Sequence, residues 1–341
     1  MNKIPVHIIT GFLGSGKTTF LNHLIDERKN DRILVIENEC GAINIDGALI
    51  MDGIEELVEL SAGCLCCSLS EELIQVLYEA SSKTDQFDRL VIETTGIADP
   101  SSIIQIFLQD TRVEAVFELK QVICLTDASL IEEWLNEAEE ALRQIAMSDC
   151  ILINKKDLVS PQTLKKVENI TRRINPCAEV YVGSDGKFSI SDIFSTGTIN
   201  PQTVESVEKK EHIQHDHAHG EENQHRITTF SLTFPHPLNL DSLAIELDQI
   251  VNLYREQVYR VKGFIAIENY PNRVILQSAR SAFVITDGTP WESEENRTGT
   301  LVFIGRDLKR KAFEKRFFRH MRNQVKSGNF EAPKPSLQHF P

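Results

Sequence analysis

Three cysteines in four residues, Cys64, Cys66 and Cys67, stand between a glycine-rich loop and an acidic strand end. Clustered thiolates are soft ligands for Zn²⁺ and related ions. Upstream, Gly11-Phe12-Leu13-Gly14-Ser15-Gly16-Lys17-Thr18 follows an apolar strand pattern and opens a helical one. In that context the spacing is that of a phosphate-binding loop, whose backbone N–H groups cradle a pyrophosphate at a helix N-terminus. Lys17 is expected to reach the β- and γ-phosphates and Thr18 to ligate Mg²⁺. Gly11, Gly14, Ser15, Gly16 and Thr19 complete the expected cradle. Downstream, Glu93-Thr94-Thr95-Gly96 ends another apolar run. Glu93 is expected to act on Mg²⁺ through water, and the Gly96 N–H to meet the γ-phosphate. No glutamine suited to positioning water and no arginine finger is recognisable, so slow intrinsic hydrolysis is expected.

Asn154-Lys155-Lys156-Asp157 ends a further strand pattern. An Asn-Lys-x-Asp at a strand end reads guanine, because the Asp157 carboxylate accepts from both the ring N–H and the exocyclic amine. Adenine offers neither donor there and would leave a carboxylate unpaired, which is costly. Asn154, Lys155 and Asp157 therefore favour GTP over ATP.

The metal motif is incomplete as it stands. Cys66 and Cys67 are adjacent and need a sharp bend to share one ion, which Ser61-Ala62-Gly63 would permit. Further ligands must come from elsewhere, and Glu37, Glu39, Cys40 and a histidine tract are the candidates. That tract holds His212, His215, His217, His219 and His225. His217 and His219 share one side of an extended segment. Such a shell suits transfer better than permanent structural binding. Zn²⁺ is the favoured ion, with Co²⁺ and Ni²⁺ open.

The elements that must position these groups follow from periodicity. The chain has 341 residues, 41% hydrophobic and 25% charged, enough for two domains. Apolar runs at Val6–Thr10, Arg32–Glu37, Leu90–Glu93, Gln121–Thr126, Cys150–Asn154 and Glu179–Val182 read as strands. Helical patterns intervene at Lys17–Glu27, Glu71–Ser81, Asp99–Phe107 and Ser129–Ile145. Non-alternating strands separated by amphipathic helices predict an α/β fold, its mostly parallel sheet covered on both faces. Ligands then belong at the carboxyl ends of the strands. The expected organisation is a nucleotide-binding domain over 1–200, a flexible His-rich linker over 201–226, a smaller α+β domain over 227–326 and a disordered tail over 327–341. In the smaller domain, strands are expected from Ile227 and at Val258–Glu268, Arg273–Ser278, Phe283–Thr286 and Thr300–Ile304, with a helix at Leu240–Leu253. A basic amphipathic helix is expected over 306–326, with Phe313, Phe317 and Phe318 toward the core.

A net charge of −14 argues against general nucleic-acid binding. No run reaches the ~18 apolar residues of a membrane span. The N-terminus enters a strand pattern without a signal-peptide layout, so a cytoplasmic protein with reduced thiols is expected. Cys124 and Cys150 lie in strand runs and are expected to be small buried hydrophobes.

Together Gly11–Thr19, Glu37-Asn38-Glu39, Gly63–Cys67, Glu93–Gly96 and Asn154–Asp157 resemble the CobW-like family of GTPases, in its zinc metallochaperone branch. The His-rich linker and Tyr259-Arg260-Val261-Lys262-Gly263-Phe264 extend the likeness over roughly residues 3–325. The resemblance implies a GTPase that captures a metal ion and delivers it to an unidentified client protein, with nucleotide state controlling capture and release. A cobalamin-pathway accessory GTPase handling Co²⁺, or a non-catalytic metal buffer or sensor stabilised by GTP, are the alternatives. The family pattern Asn-Glu-Phe-Gly-Glu reads Asn38-Glu39-Cys40-Gly41-Ala42 here. A carboxylate ligand of some relatives is thus replaced by Ala42, while Cys40 adds a thiol.

Overall fold

The computed structural model describes residues 3–37, 57–59, 66–195, 227–292 and 294–324. They fall into two compact units, within Met1–Thr198 and Ile199–Pro341.

The first unit is built on seven parallel strands in the order β3-β2-β4-β1-β5-β6-β7. These are β1 (Ile4–Gly11), β2 (Ile33–Glu37), β3 (Leu57–Glu59), β4 (Arg89–Glu93), β5 (Phe117–Asp127), β6 (Cys150–Asn154) and β7 (Glu179–Val182). Neighbouring residues such as Ile8 and Ile9, or Leu152 and Ile153, are all fully buried. Both sheet faces are therefore covered, as unbroken apolar runs require. Helix α1 (Lys17–Glu27) presents Phe20, Leu21 and Leu24 to Ile9, Ile33, Val91 and Ile123 on one face. The other helices are α2 (Cys66–Ser81), α3 (Ser101–Gln109), α4 (Thr111–Val116), α5 (Ile131–Glu137), α6 (Glu139–Met147), α7 (Pro161–Ile174) and α8 (Ile190–Ser195).

Three local expectations are revised. The helix expected over Ser129–Ile145 is two helices, α5 and α6, because Ala138 between them is extended (φ −131, ψ 115). This break brings Gln144 beneath the loop that follows β4. Helix α2 starts at Cys66, ahead of the expected Glu71, so Cys66 and Cys67 are its first two residues. The three-residue β3 was not expected, and its pairing with β2 extends the sheet at one edge.

The second unit is an antiparallel sheet in the order β11-β10-β9-β12-β8. Its strands are β8 (Ile227–Phe234), β9 (Val258–Ala266), β10 (Asn272–Ala279), β11 (Ala282–Pro290) and β12 (Gly299–Arg306). Helices Leu240–Leu253 and Arg310–Gln324 bury Leu243, Leu247, Ile250, Phe313 and Phe317 with Phe230, Leu232 and Phe303 of the sheet. Phe313 and Phe317 thus face the core, as the basic helix pattern implies; the Phe318 side chain lies outside the described residues. Cys124 and Cys150 are buried. Among the described residues no helix is long and apolar enough to cross a membrane.

Candidate functional site

Strands β1, β4, β5 and β6 deliver their carboxyl ends to one edge of the sheet, and the site is built there. After β1 the chain turns through Gly11 (φ 140), Gly14 (φ 74) and Gly16 (φ 99) into α1. The glycines are steric requirements: a Cβ on Gly11 would lie 2.2 Å from the Leu125 carbonyl oxygen, and one on Gly16 would lie 2.5 Å from Asn154 Nδ2. Helix α1 has no acidic residue in its first turn and no side-chain cap at Gly16. Its positive end is therefore open to an anion. A cavity of about 590 Å³ sits there, lined by Gly14, Gly16, Lys17, Thr18, Thr19, Asn154, Lys155, Asp157, Leu158 and Asp185. That volume is in the range of nucleotide-sized pockets.

Lys17 is buried and its Nζ donates to the Gly11 carbonyl at 2.9 Å, curling over the loop. Thr18 Oγ1 donates to Glu93 Oε1 at 2.9 Å, joining α1 to the end of β4. Ser15 Oγ is buried and meets no hydrogen-bond partner among the described residues. The Thr18 hydroxyl and the Glu93 carboxylate side by side form a hard-oxygen donor pair that fits Mg²⁺ with phosphate. In register, Glu93 lies opposite Glu37 on the neighbouring β2. One candidate metal carboxylate is therefore beside the residue that bonds the first turn of α1.

The loop after β4 is held from two sides. Thr94 N–H donates to the Ile9 carbonyl at 2.9 Å and Thr94 Oγ1 to Thr10 Oγ1 at 3.0 Å. A Cβ on Gly96 would lie 2.7 Å from the Leu13 backbone nitrogen, so Gly96 is seated against the glycine-rich loop. From α6, Gln144 Nε2 donates to the Gly96 and Ala98 carbonyls at 3.1 and 3.0 Å.

Asn154, at the end of β6, ties loops together. Its Nδ2 donates to the Ser15 carbonyl at 3.0 Å, and its Oδ1 accepts from the Gly186 N–H at 3.1 Å. Lys155 adopts the left-handed conformation (φ 59) and starts the 3₁₀ turn Lys156–Leu158, which carries Asp157 exposed at the cavity rim. The Lys155 ammonium bonds the Gly14 carbonyl at 2.8 Å and Asp127 Oδ2 at 2.8 Å. Burial pushes the Asp127 carboxyl up, but hydrogen bonds from Lys155 and Ser129 and the charge of Lys155 outweigh it, leaving the carboxyl below its ordinary value.

The structure thus brings Gly14, Gly16, Lys17, Thr18, Thr19, Asn154, Lys155 and Asp157 to one cavity, with Gly11, Ser15, Glu93 and Gly96 behind or beside it. For the metal motif, Glu37 ends β2, and Cys66 and Cys67 open α2. Glu39, Cys40, Cys64, His215, His217 and His219 lie outside the described residues. Among the described residues no group of three or more metal-binding side chains converges. Sequence reasoning missed Asp127, Gln144 and Asp185. Only Asp185 had a signal: Asp-Gly between Ser184 and Lys187 is the signature of a tight turn, and both central residues have positive φ (54 and 67).

Residues 5–182 match the family described as "CobW/HypB/UreG, nucleotide-binding domain", and residues 227–320 match "Cobalamin synthesis protein cobW C-terminal domain". The zinc chaperone YjiA of Escherichia coli (strain K12) is 34% identical over 313 residues, spanning 90% of this chain and 96% of the relative. The zinc chaperone CobW of Pseudomonas aeruginosa is 28% identical over 341 residues, spanning 90% and 88%. The crystal structure of the Zn(II)-bound YjiA GTPase from E. coli superposes with a TM-score of 0.70 at 28% identity, covering 94% of this chain and 99% of that one.

Proposed function

The chain belongs to the CobW/HypB/UreG family of nucleotide-binding proteins, and from that premise we propose that it is a GTP-hydrolysing zinc chaperone. It binds GTP in the cavity at the end of α1, carries Zn²⁺ as cargo, and passes it to a client metalloprotein. The observation that carries this reading is the pairing of Glu37 with Glu93 across β2 and β4, with Glu93 bonded to Thr18. It links the phosphate-sensing residues to the start of the segment that leads to the cysteines.

The chain's own groups divide the work. The N–H groups at the start of α1 hold the phosphates, and Lys17 leaves the Gly11 carbonyl to neutralise β- and γ-phosphate charge. Thr18 would ligate Mg²⁺ and Glu93 would hold it through water, and the ion would supply further neutralisation of phosphate charge. Gly96 meets the γ-phosphate with its N–H, and Asp157 accepts from guanine. Once the γ-phosphate departs, the contacts that hold Glu93 and Gly96 relax together. Glu37 and the thiolates of Cys64, Cys66 and Cys67 then lose their shared geometry and Zn²⁺ transfers. Glu39 and the imidazoles of His215, His217 and His219 serve as accessory ligands during exchange. Thiolate transfer needs reduced cysteines, which suits a cytoplasmic protein.

The test uses purified Zn²⁺-loaded protein with a zinc-responsive chromophore and a parallel phosphate-release assay. GTP should release zinc in step with phosphate, and a non-hydrolysable analogue should retain it. Lys17→Ala should lose both signals. Equal release with GTP and the analogue would refute hydrolysis-driven delivery.

A further inference from the structure

We infer that Asp127, at the end of β5, is a positioning residue for guanine-nucleotide recognition, acting through Lys155. This rests on the guanine-binding reading of the cavity and names a residue outside its expected motifs. Strand order makes the case. The phosphate-binding loop follows β1 and the base-reading turn follows β6, and β5 lies between them. The Asp127 side chain is 1% exposed. Its Oδ2 bonds Lys155 Nζ at 2.8 Å, and its Oδ1 accepts from the Ser129 N–H at 2.8 Å and from Ser129 Oγ at 2.6 Å. The carboxylate is thus fixed by its own turn before it meets the lysine. The same ammonium reaches the Gly14 carbonyl at 2.8 Å.

Two further contacts tie this arrangement to the base-reading residues. Asp127 pairs in register with Asn154, and the Ala128 N–H donates to the Asn154 carbonyl at 3.0 Å. Lys155 holds a left-handed backbone that a side chain does not adopt without compensation, and it launches the turn carrying Asp157. Anchoring the Lys155 head to a buried carboxylate sets that turn and lays the lysine stem along the cavity wall. Lys155 is a flexible four-carbon chain, and without the anchor it gains rotamer freedom that nucleotide binding must remove. The effect therefore falls on nucleotide affinity, while the phosphate chemistry at Thr18 and Glu93 is untouched.

The experiment compares the full-length chain with Asp127→Asn and Asp127→Ala. Asparagine keeps the shape and the Ser129 bonds and removes the charge that faces Lys155. Steady-state GTP hydrolysis, GDP titration calorimetry, an ATP control and melting curves are recorded. Asp127→Asn should raise KM for GTP and Kd for GDP by about tenfold, the size of one charge-assisted hydrogen bond, with kcat within about twofold. The preference for GTP over ATP should shrink, since Asp157 loses its fixed position. Asp127→Ala should go further in the same direction, and Asp127→Asn keeps the test valid if alanine fails to fold. Unchanged KM and Kd in a folded Asp127→Asn protein would overturn the assignment, as would a fall in kcat at constant KM. Failure of the unsubstituted chain to bind GDP would instead overturn the guanine reading.

Discussion

Replacing Asn154 by alanine removes two buried hydrogen bonds at once. The Ser15 carbonyl loses its donor at 3.0 Å, and the Gly186 N–H loses its acceptor at 3.1 Å. Asn154 is 2% exposed, so water does not readily replace either partner. A net bond is worth about 1 kcal/mol, and an orphaned buried group costs more, so the pair amounts to about 2–4 kcal/mol. For a unit of this size that is a fall of about 5–15 °C in melting temperature. Nucleotide binding suffers too, because the amide also fixes the loop in which Gly16 lies against it. Calorimetric melting of the full chain, with and without saturating GDP, reads both effects. The Asn154→Ala protein should melt early without nucleotide and bind GDP at least about tenfold more weakly. A melting temperature within about 1 °C and an unchanged GDP affinity would refute the view that Asn154 ties the two loops.

Other outcomes follow from the same geometry. Gly16→Ala forces a Cβ against the Asn154 amide at a backbone φ of 99, and GDP titration should find binding reduced beyond about tenfold. His7 stacks on Phe194 at 4.1 Å, and burial foremost, then the charges of Arg89, Lys120 and Arg28, push its imidazole down to about 3. The unfolded chain protonates His7 near 6.5, so its contribution is intact above that pH and is lost as pH falls toward 3, by about 1.4 kcal/mol per pH unit. Urea midpoints of His7→Gln should accordingly vary less between pH 6.5 and 4.5 than those of the unsubstituted chain, and parallel slopes would contradict the neutral ring. Burial pushes the Cys124 thiol up to about 12 and raises Cys150 as well. Iodoacetamide at neutral pH should leave both unlabelled in the native protein and label them in urea, as mass spectrometry of peptides would show.

The glycine-rich loop after β1 and the Asn154–Asp157 turn were legible as local structure because each is a contiguous motif with fixed spacing, flanked by apolar strand runs buried on both faces. Strands β6 and β7 and helix α1 have the bounds that periodicity predicts. The break at Ala138 was not legible, since alanine is a strong helix former among good helix formers and only tertiary packing makes it extended. Helix α2 began early for the opposite reason: Cys66, Cys67 and Ser68 are weak helix formers. Asp127 and Gln144 act as single residues across long sequence separations, and no local spacing marks them. Their roles appear only when β5 is seen beside β6 and α6 beneath the loop after β4. The cysteine motif is an expectation of the sequence alone: its candidate ligands Glu39, Cys64 and the histidines lie outside the described residues.

The most direct test of GTP-coupled zinc handling is the Zn²⁺ dissociation constant of the full chain in two nucleotide states. Competition against a chromophoric chelator, with saturating GTP analogue or saturating GDP, supplies both values. Coupling through Glu93 and Glu37 requires tighter zinc binding with the analogue than with GDP, by about fivefold or more, and zinc must raise the ratio of analogue to GDP affinity by the same factor. Equal zinc affinities in the two states would contradict it.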